Sequence, residues 1–335
     1  MSVESTKPVL SVRDLQVTVP VNGQDELTVR NVSFDLLPAQ RLGLVGESGS
    51  GKSLTALSLM GMLSPAVKIQ GGEIMLNGRD LVGLPPREMR SVRGREIAMI
   101  YQNPMAALNP VQRIGTQLVE GIRLHQTISK AAARRRAIEL LGDVGIPNPG
   151  RRIDAFPHEL SGGMRQRVVI AMALSSEPDV IVADEPTTSL DVTTQARVLT
   201  LLRELVTTHD TAVILISHDL EVAASFSDEI VVMYAGRIVE RSTSEELFAE
   251  PQHPYTRALL DSSCVLSTDI DKPIPVIPGQ PPAPGKFPEG CAFRLRCSRA
   301  EARCATIDPE LVGPRHRAVA CHVPYPAEDP TAGSQ

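Results

Sequence analysis

Long hydrophobic runs are missing from this 335-residue chain. Its apolar stretches, such as Val180–Ala183 and Val213–Ile216, fall far short of the roughly 20 residues a membrane-spanning helix needs, so the chain is not expected to cross a bilayer. The opening MSVESTKPVLSVRD lacks a basic start followed by an apolar core, which argues against a secretory leader and makes the cytoplasm the expected compartment. Positive charge is not in excess: 34 Lys and Arg stand against 39 Asp and Glu, a net charge of −5, and no global field is available to hold nucleic acid. Cysteine is scarce, with five residues, and four of them crowd between Cys291 and Cys321. In a cytosolic chain such a cluster suggests metal binding before disulfides.

What is present is the balance of a folded globular protein, 42% hydrophobic and 22% charged residues. The length suits one large domain plus something smaller. Residues Leu10–Val19 and Leu27–Leu37, separated by Asn22-Gly23, predict an antiparallel β layer. Arg41–Val45 reads as a strand running into a glycine-rich turn, and Leu54–Met62 as the helix after it. Glu73–Asn77 predicts another strand, and the patterns from about Gln112 to Ala173, including Lys130–Val144, are helical. Val180–Ala183 and Val213–Ile216 flank a helix at Thr193–Thr207, a βαβ pattern that predicts a parallel sheet. Strands Glu229–Tyr234 and Arg237–Glu240 close the series at Ala235-Gly236. Seven prolines between Pro273 and Pro288 mark an extended strap, and the polar residues from Pro324 on are expected to be disordered.

Gly46-Glu47-Ser48-Gly49-Ser50-Gly51-Lys52-Ser53 matches the eight-residue phosphate-loop pattern, placed after a strand and before a helix as the chemistry requires. Its glycines let successive N–H groups face phosphate oxygens, and the helix adds its positive N-terminal end. Lys52 supplies a point charge for the β and γ phosphates, and the Ser53 hydroxyl is a hard-oxygen ligand for Mg²⁺. Downstream, Val180–Ala183 leads directly into Asp184-Glu185. Open parallel sheets bind ligands at the carboxyl ends of their strands, so Asp184 is a candidate for the Mg²⁺ shell and Glu185 for orienting the attacking water. Without the phosphate loop, the same pair would read as a helix cap with an acidic first turn.

Leu160-Ser161-Gly162-Gly163-Met164-Arg165-Gln166-Arg167 resembles the signature motif of ATP-binding cassette (ABC) proteins, the feature that separates them from other phosphate-loop ATPases. Physically, Ser161-Gly162-Gly163 opens a helix whose free N–H groups form an anion site. The resemblance extends along the core. It implies that Gln102 belongs to the glutamine loop that contacts Mg²⁺, that Ser189-Leu190-Asp191 crosses between cassettes, and that His218 senses the γ-phosphate. It implies an α/β fold: a phosphate-loop ATPase with a parallel core sheet, an antiparallel β layer, a helical subdomain and a small C-terminal extension carrying cysteines. In this family each ATP lies between the phosphate loop of one cassette and the signature of another. Ser161, Gly162, Gly163, Gln166 and Asp191 are therefore candidates for contacts with a partner cassette's ATP. One departure is that family members usually stack adenine on an aromatic residue in the first strands; here the corresponding Val19-Pro20 is aliphatic and the first aromatic is Phe34.

Tyr101–Pro110, after the glutamine loop, and Pro251–Leu260, with its His253-Pro254-Tyr255, are similar to oligopeptide/dipeptide importer ATPases. That group also includes nickel, glutathione and some oligosaccharide systems. The resemblance implies an ATPase domain over residues 1–250 with its helical part at about 105–172, an importer-type extension over 251–323, and a tail at 324–335. It implies a second ABC subunit, identical or homologous, two transmembrane permeases, an extracytoplasmic solute-binding protein, and a peripheral place on the cytoplasmic face of the inner membrane. A non-transport cassette acting on DNA or ribosomes is the rival reading; it lacks both a coiled-coil insertion and a second fused cassette here. Cys291, Cys297, Cys304 and Cys321 miss the paired C-x₂-C spacing of zinc ribbons, and four thiolates suit either a [4Fe–4S] cluster or zinc, unligated thiols being the third option. Cys264 lies outside that set and reads as a buried small apolar residue.

Overall fold

The computed structural model describes residues 7–188, 190–263 and 276–326. Cys264, Ser189, Pro273, Pro275 and the tail from residue 327 lie outside the described residues. In chain order the elements are β1 (Leu10–Val21), β2 (Gln24–Leu36), β3 (Arg41–Val45), α1 (Lys52–Leu59), β4 (Lys68–Leu76), β5 (Arg79–Asp80), α2 (Pro86–Val92), β6 (Ile97–Ile100), α3 (Pro104–Ala107), α4 (Ile114–His125), α5 (Lys130–Asp143), α6 (Pro149–Arg152) and α7 (Gly162–Leu174). There follow β7 (Val180–Asp184), α8 (Val192–Thr208), β8 (Ala212–Ser217), α9 (Leu220–Phe226), β9 (Glu229–Tyr234), β10 (Arg237–Thr243), α10 (Ser244–Ala249), α11 (Pro254–Ser263) and β11 (Arg317–Val319). They form two compact units, each assembled from non-contiguous segments. No described helix is long and apolar enough to span a membrane.

The first unit comprises residues up to Leu10, Leu36–Gln40 and Met75–Leu215. Its strands β6 and β7 are parallel, pairing Ile97 with Val180 through Ile100 with Ala183, a pairing that had no counterpart among the predicted elements; β8 is the other neighbour of β7, the adjacency that the βαβ pattern predicts. Every residue of β6 and the first four of β7 are buried, which explains their continuous apolar sequence without alternation. The predicted helical region resolves into α4, α5 and α7 packed on one another. Ile114, Leu118 and Ile122 recur at four-residue spacing on α4, and Ala133, Ala137, Leu140 and Leu141 form the buried stripe of α5. Ser129 caps α5, its side chain accepting from the Ala132 N–H.

The second unit comprises Ser11–Asp35, Arg41–Ile74 and the chain from Ile216 onward. β1 and β2 are joined by Asn22 and Gly23 at φ 51° and 83°, the left-handed pair that a two-residue hairpin matched to strand twist demands. β4 begins at Lys68, five residues earlier than its apolar pattern predicts; its first half is largely exposed or half-buried and carries no strong hydrophobic signal. Another sheet portion runs β11, β10, β9, β3 in order. β3 and β9 are parallel and β9 and β10 antiparallel, with a bulge between Ile238 and Glu240. β10 extends to Thr243, beyond its predicted end, because β11 pairs with it through Glu240, Arg241 and Ser242. The core here gathers Val45, Leu220, Ile230, Val232, Leu247 and Leu259 around three aromatics, Tyr234, Tyr255 and Phe293. Fully burying side chains of this size contributes about 1.5–3 kcal/mol each.

Candidate functional site

The phosphate loop lies between β3 and α1 in the second unit. A Cβ on Gly46 would sit 2.1 Å from the Met233 carbonyl oxygen, so only glycine lets the loop leave the sheet here. Gly51, at φ 103°, turns the chain into α1. Lys52 is 5% exposed and its Nζ donates to the Gly46 carbonyl at 2.5 Å, the Glu47 carbonyl at 2.9 Å and Ser50 Oγ at 3.3 Å. The loop thus curls around its own cation. The β9–β10 turn braces it from outside, the Gly236 N–H donating to the Ser50 carbonyl at 3.0 Å. Gly49 has open space around it and Ser53 is exposed in the first turn of α1, while Ser48 is exposed on the loop. His218, also in this unit, is exposed directly after β8, and Asp219 behind it caps α9 by accepting the Glu221 and Val222 N–H groups.

In the first unit, the parallel register explains why two distant residues meet. Ile100 faces Ala183, so Gln102 and Glu185, each two residues further on, leave the sheet side by side. Gln102 Nε2 donates to Glu185 Oε2 at 2.9 Å, and Thr188 Oγ1 donates to the same oxygen at 2.9 Å. Glu185 stands at φ 45°, a left-handed conformation that costs a non-glycine residue about 1 kcal/mol or more. Asp184, half-buried, ends β7. The oxygen donors of Gln102 and Asp184 have the hardness Mg²⁺ requires. Thr188 carried no recognisable signal in the sequence.

Ser161 caps α7, accepting from the Met164 N–H at 3.3 Å, and Ser161 and Gly162 are exposed at the helix start. Gly163 packs close to Thr194, where a Cβ would come within 2.7 Å of its methyl. Gln166 is fully buried, so an outward contact from this motif falls to the exposed residues before it. Asp191 caps α8: its carboxylate accepts from the Thr194 N–H at 2.9 Å and Thr194 Oγ1 at 2.8 Å, bonds that hold it below the usual carboxylate range.

The C-terminal extension brings the four predicted cysteines together. The Cys291 N–H donates to the Cys304 carbonyl at 2.9 Å, Cys304 is buried, and the others are half-buried. Burial raises the Cys291, Cys297 and Cys321 thiols; Cys321 reaches about 11, with the charges of the other three adding to the rise. Backbone N–H groups of Arg299 and Val323 point at the sulfurs of Cys297 and Cys321, each at 3.4 Å. Among the described residues no three His, Cys, Asp or Glu side chains converge tightly enough to hold a metal ion. The expectation of a metal at these cysteines, a [4Fe–4S] cluster or zinc, is therefore not supported by their arrangement.

Two residues of the C-terminal region also reach the phosphate loop, Tyr255 from the importer-type segment and Arg296, which carried no sequence signal. Tyr255 Oη accepts the Glu47 N–H at 2.8 Å, and Arg296 forks onto the Glu47 carboxylate at 2.6 and 2.9 Å.

Residues 29–188 match the ABC transporter family, and residues 239–304 match the oligopeptide/dipeptide transporter C-terminal region. The oligopeptide transport ATP-binding protein OppD of Bacillus subtilis (strain 168) is 49% identical over 292 residues, 87% of this chain and 82% of that one. The dipeptide transport ATP-binding protein DppD of the same organism is 47% identical over 302 residues, 90% of each. OppD of Escherichia coli (strain K12) is 45% identical, over 90% of this chain and 88% of its own. Among solved structures, the dimeric bacterial ABC transporter cassette MJ0796 aligns with a TM-score of 0.63 at 25% identity, covering 70% of this chain and 98% of that one. On this similarity, which runs through phosphate loop, signature and cysteine-bearing extension alike, the chain belongs to the ATP-binding subunits of the oligopeptide/dipeptide family of ABC transporters.

Proposed function

We propose that the chain binds Mg·ATP and hydrolyses it to drive import of oligopeptides or dipeptides through membrane permeases, pairing with a second cassette to do so. The observation that carries this reading is the caged Lys52 at the head of α1, a cation held among backbone carbonyls within a loop shaped for phosphate. Lys52 and the loop's N–H groups hold the β and γ phosphates. Ser53, Gln102 and Asp184 are the residues that would hold Mg²⁺, which supplies charge neutralisation on the phosphate oxygens. Glu185, fixed by Gln102 and Thr188, orients water for attack, and His218 hydrogen-bonds the γ-phosphate. The exposed Ser161 and Gly162, with the half-buried Gly163 and with Asp191, serve the ATP of the partner cassette. Relatives named for oligopeptide and dipeptide transport favour peptide over nickel, glutathione or oligosaccharide cargo. A solute-binding protein outside the membrane would select that cargo, and this subunit would sit peripherally on the inner face. Uptake of a labelled peptide by cells carrying the complete transporter should stop on Glu185→Gln; continued uptake would sink the proposal.

For the four thiols we propose a [4Fe–4S] ligand set, on the chemistry of a four-cysteine donor set. A cluster spreads its thiolates over four irons and so tolerates wider spacing than zinc, and the N–H groups aimed at two sulfurs suit thiolate ligands. When bound, such a cluster would tie together the tail's two ends. Iron and sulfide content of anaerobically purified protein tests this: wild type should hold iron and lose it on Cys297→Ser, and iron-free wild type would end the idea.

A further inference from the structure

Glu47 is the one acidic side chain in a loop built to receive a polyanion. Left unpaired, its charge would oppose a triphosphate, and in the second unit it is gripped at three points. Its N–H is taken by Tyr255 Oη at 2.8 Å, its carbonyl accepts from Lys52 Nζ at 2.9 Å, and its carboxylate receives both terminal nitrogens of Arg296. Arg296 is held in turn. Its side chain is 5% exposed, its Nε donates to the Pro278 carbonyl at 2.8 Å, and its Nη1 reaches Tyr234 Oη at 3.4 Å. Glu47 in return holds the guanidinium above its ordinary value. A planar fork on a carboxylate fixes direction as well as distance, so this pair sets the orientation of the Glu47 side chain and, with Tyr255, of the peptide unit that carries it.

Both gripping residues belong to the region that distinguishes this family from other cassettes. Tyr255 comes from the His253-Pro254-Tyr255 segment, which by itself looks like a turn that docks a helix, and Arg296 directly precedes Cys297. We infer that Arg296 and Tyr255 are positioning residues for nucleotide binding: the C-terminal extension neutralises Glu47 and holds the phosphate loop in its phosphate-ready curl before ATP arrives. The inference rests on the ATP-binding reading above. It makes the extension a contributor to nucleotide affinity through two residues that touch no nucleotide themselves. A loop shaped in advance loses less ordering entropy when the ligand arrives.

Calorimetric titration of the full-length chain with Mg·ATP tests it. Arg296→Gln should weaken binding about tenfold, because a carboxylate is left facing the phosphates without its partner. Arg296→Lys should recover part of the loss. The deciding measurement is the double variant: Glu47→Gln added to Arg296→Gln should regain most of the affinity, since the unpaired charge is gone. Unchanged affinity in Arg296→Gln, or a loss the double variant does not repair, overturns the inference, the second outcome marking Arg296 as a strut of the tail alone. Should Arg296→Gln fail to fold, Tyr255→Phe keeps the ring and removes only the acceptor; it should bind Mg·ATP several-fold more weakly, and wild-type affinity overturns the inference. Failure of the wild-type chain itself to bind Mg·ATP would instead sink the nucleotide reading.

Discussion

At Glu185 backbone strain and chemistry coincide. Its φ of 45° accompanies a side chain that accepts from Gln102 and Thr188, two donors on one carboxylate oxygen. Glu185→Gln keeps the shape and removes the charge, so hydrolysis should fall about 10²-fold or more while Mg·ATP affinity holds. Single-turnover hydrolysis alongside equilibrium binding checks both halves, and equal losses in both would move Glu185 from catalysis to binding. His253 makes a different prediction. It is 1% exposed, packs on Phe293, and its Nδ1 accepts the Tyr255 N–H at 3.0 Å; burial lowers it to about 3. Its ordinary value is 6.5, so between these values the unfolded chain binds the proton and the folded chain does not. Its contribution to stability is therefore complete above about pH 6.5 and shrinks as pH falls toward 3, by at most about 1.4 kcal/mol per pH unit. Urea unfolding from pH 7 to 5 should show a steeper loss in wild type than in His253→Asn, and parallel slopes would contradict a neutral buried His253.

The β9–β10 turn shows the same economy at the level of an element. Ala235 and Gly236 take φ values of 47° and 80°, the Gly236 N–H donates to Ser50 and the Gly236 carbonyl accepts from the Arg30 N–H at 2.7 Å. One hairpin tip thus ties the phosphate loop to β2. A Cβ on Gly236 would lie 1.8 Å from the Thr28 carbonyl oxygen, a clash only backbone movement can relieve. Gly236→Ala should lower the melting temperature by several degrees and weaken Mg·ATP binding together, with a cost of about 2 kcal/mol or more; melting unchanged from wild type would mean the tip moves freely. This turn was legible as a hairpin from its dipeptide, but its grip on the loop was not. Strands β7 to β9 and helices α5 and α8 were legible because buried apolar runs and four-residue spacing are local patterns, whereas the four-residue β6 went unread although it is buried throughout. The phosphate loop was legible because its curl admits glycine and little else. Arg296 and Glu47 stand 249 positions apart and no local period connects them; only the packing of Tyr234, Tyr255 and Phe293 brings the tail to the loop. The three-residue β11 was invisible for a related reason, since Arg317–Val319 is too short to carry a pattern and forms by pairing with β10.

For the whole molecule, the decisive count is one phosphate loop and one signature, carried in different units of the chain. If the signature served its own chain's nucleotide, damage to either motif would weaken that chain's binding. If it serves a partner's, the two defects separate. Lys52→Ala removes the cation that the loop encloses and should weaken Mg·ATP binding at least about tenfold. Ser161→Arg places a bulky cation at the exposed start of α7, where Ser161 otherwise caps the helix. If the signature serves a partner's nucleotide, the isolated chain should keep its Mg·ATP affinity within about twofold of wild type. On the same reading, the substitution should reduce hydrolysis in the assembled transporter about 10²-fold, as expected for removal of a donor to the γ-phosphate. Titration of the isolated chain and ATPase rates of the reconstituted complex supply the two readouts. Loss of affinity in isolated Ser161→Arg, matching that of Lys52→Ala, would place the signature in its own chain's site and remove the need for a second cassette.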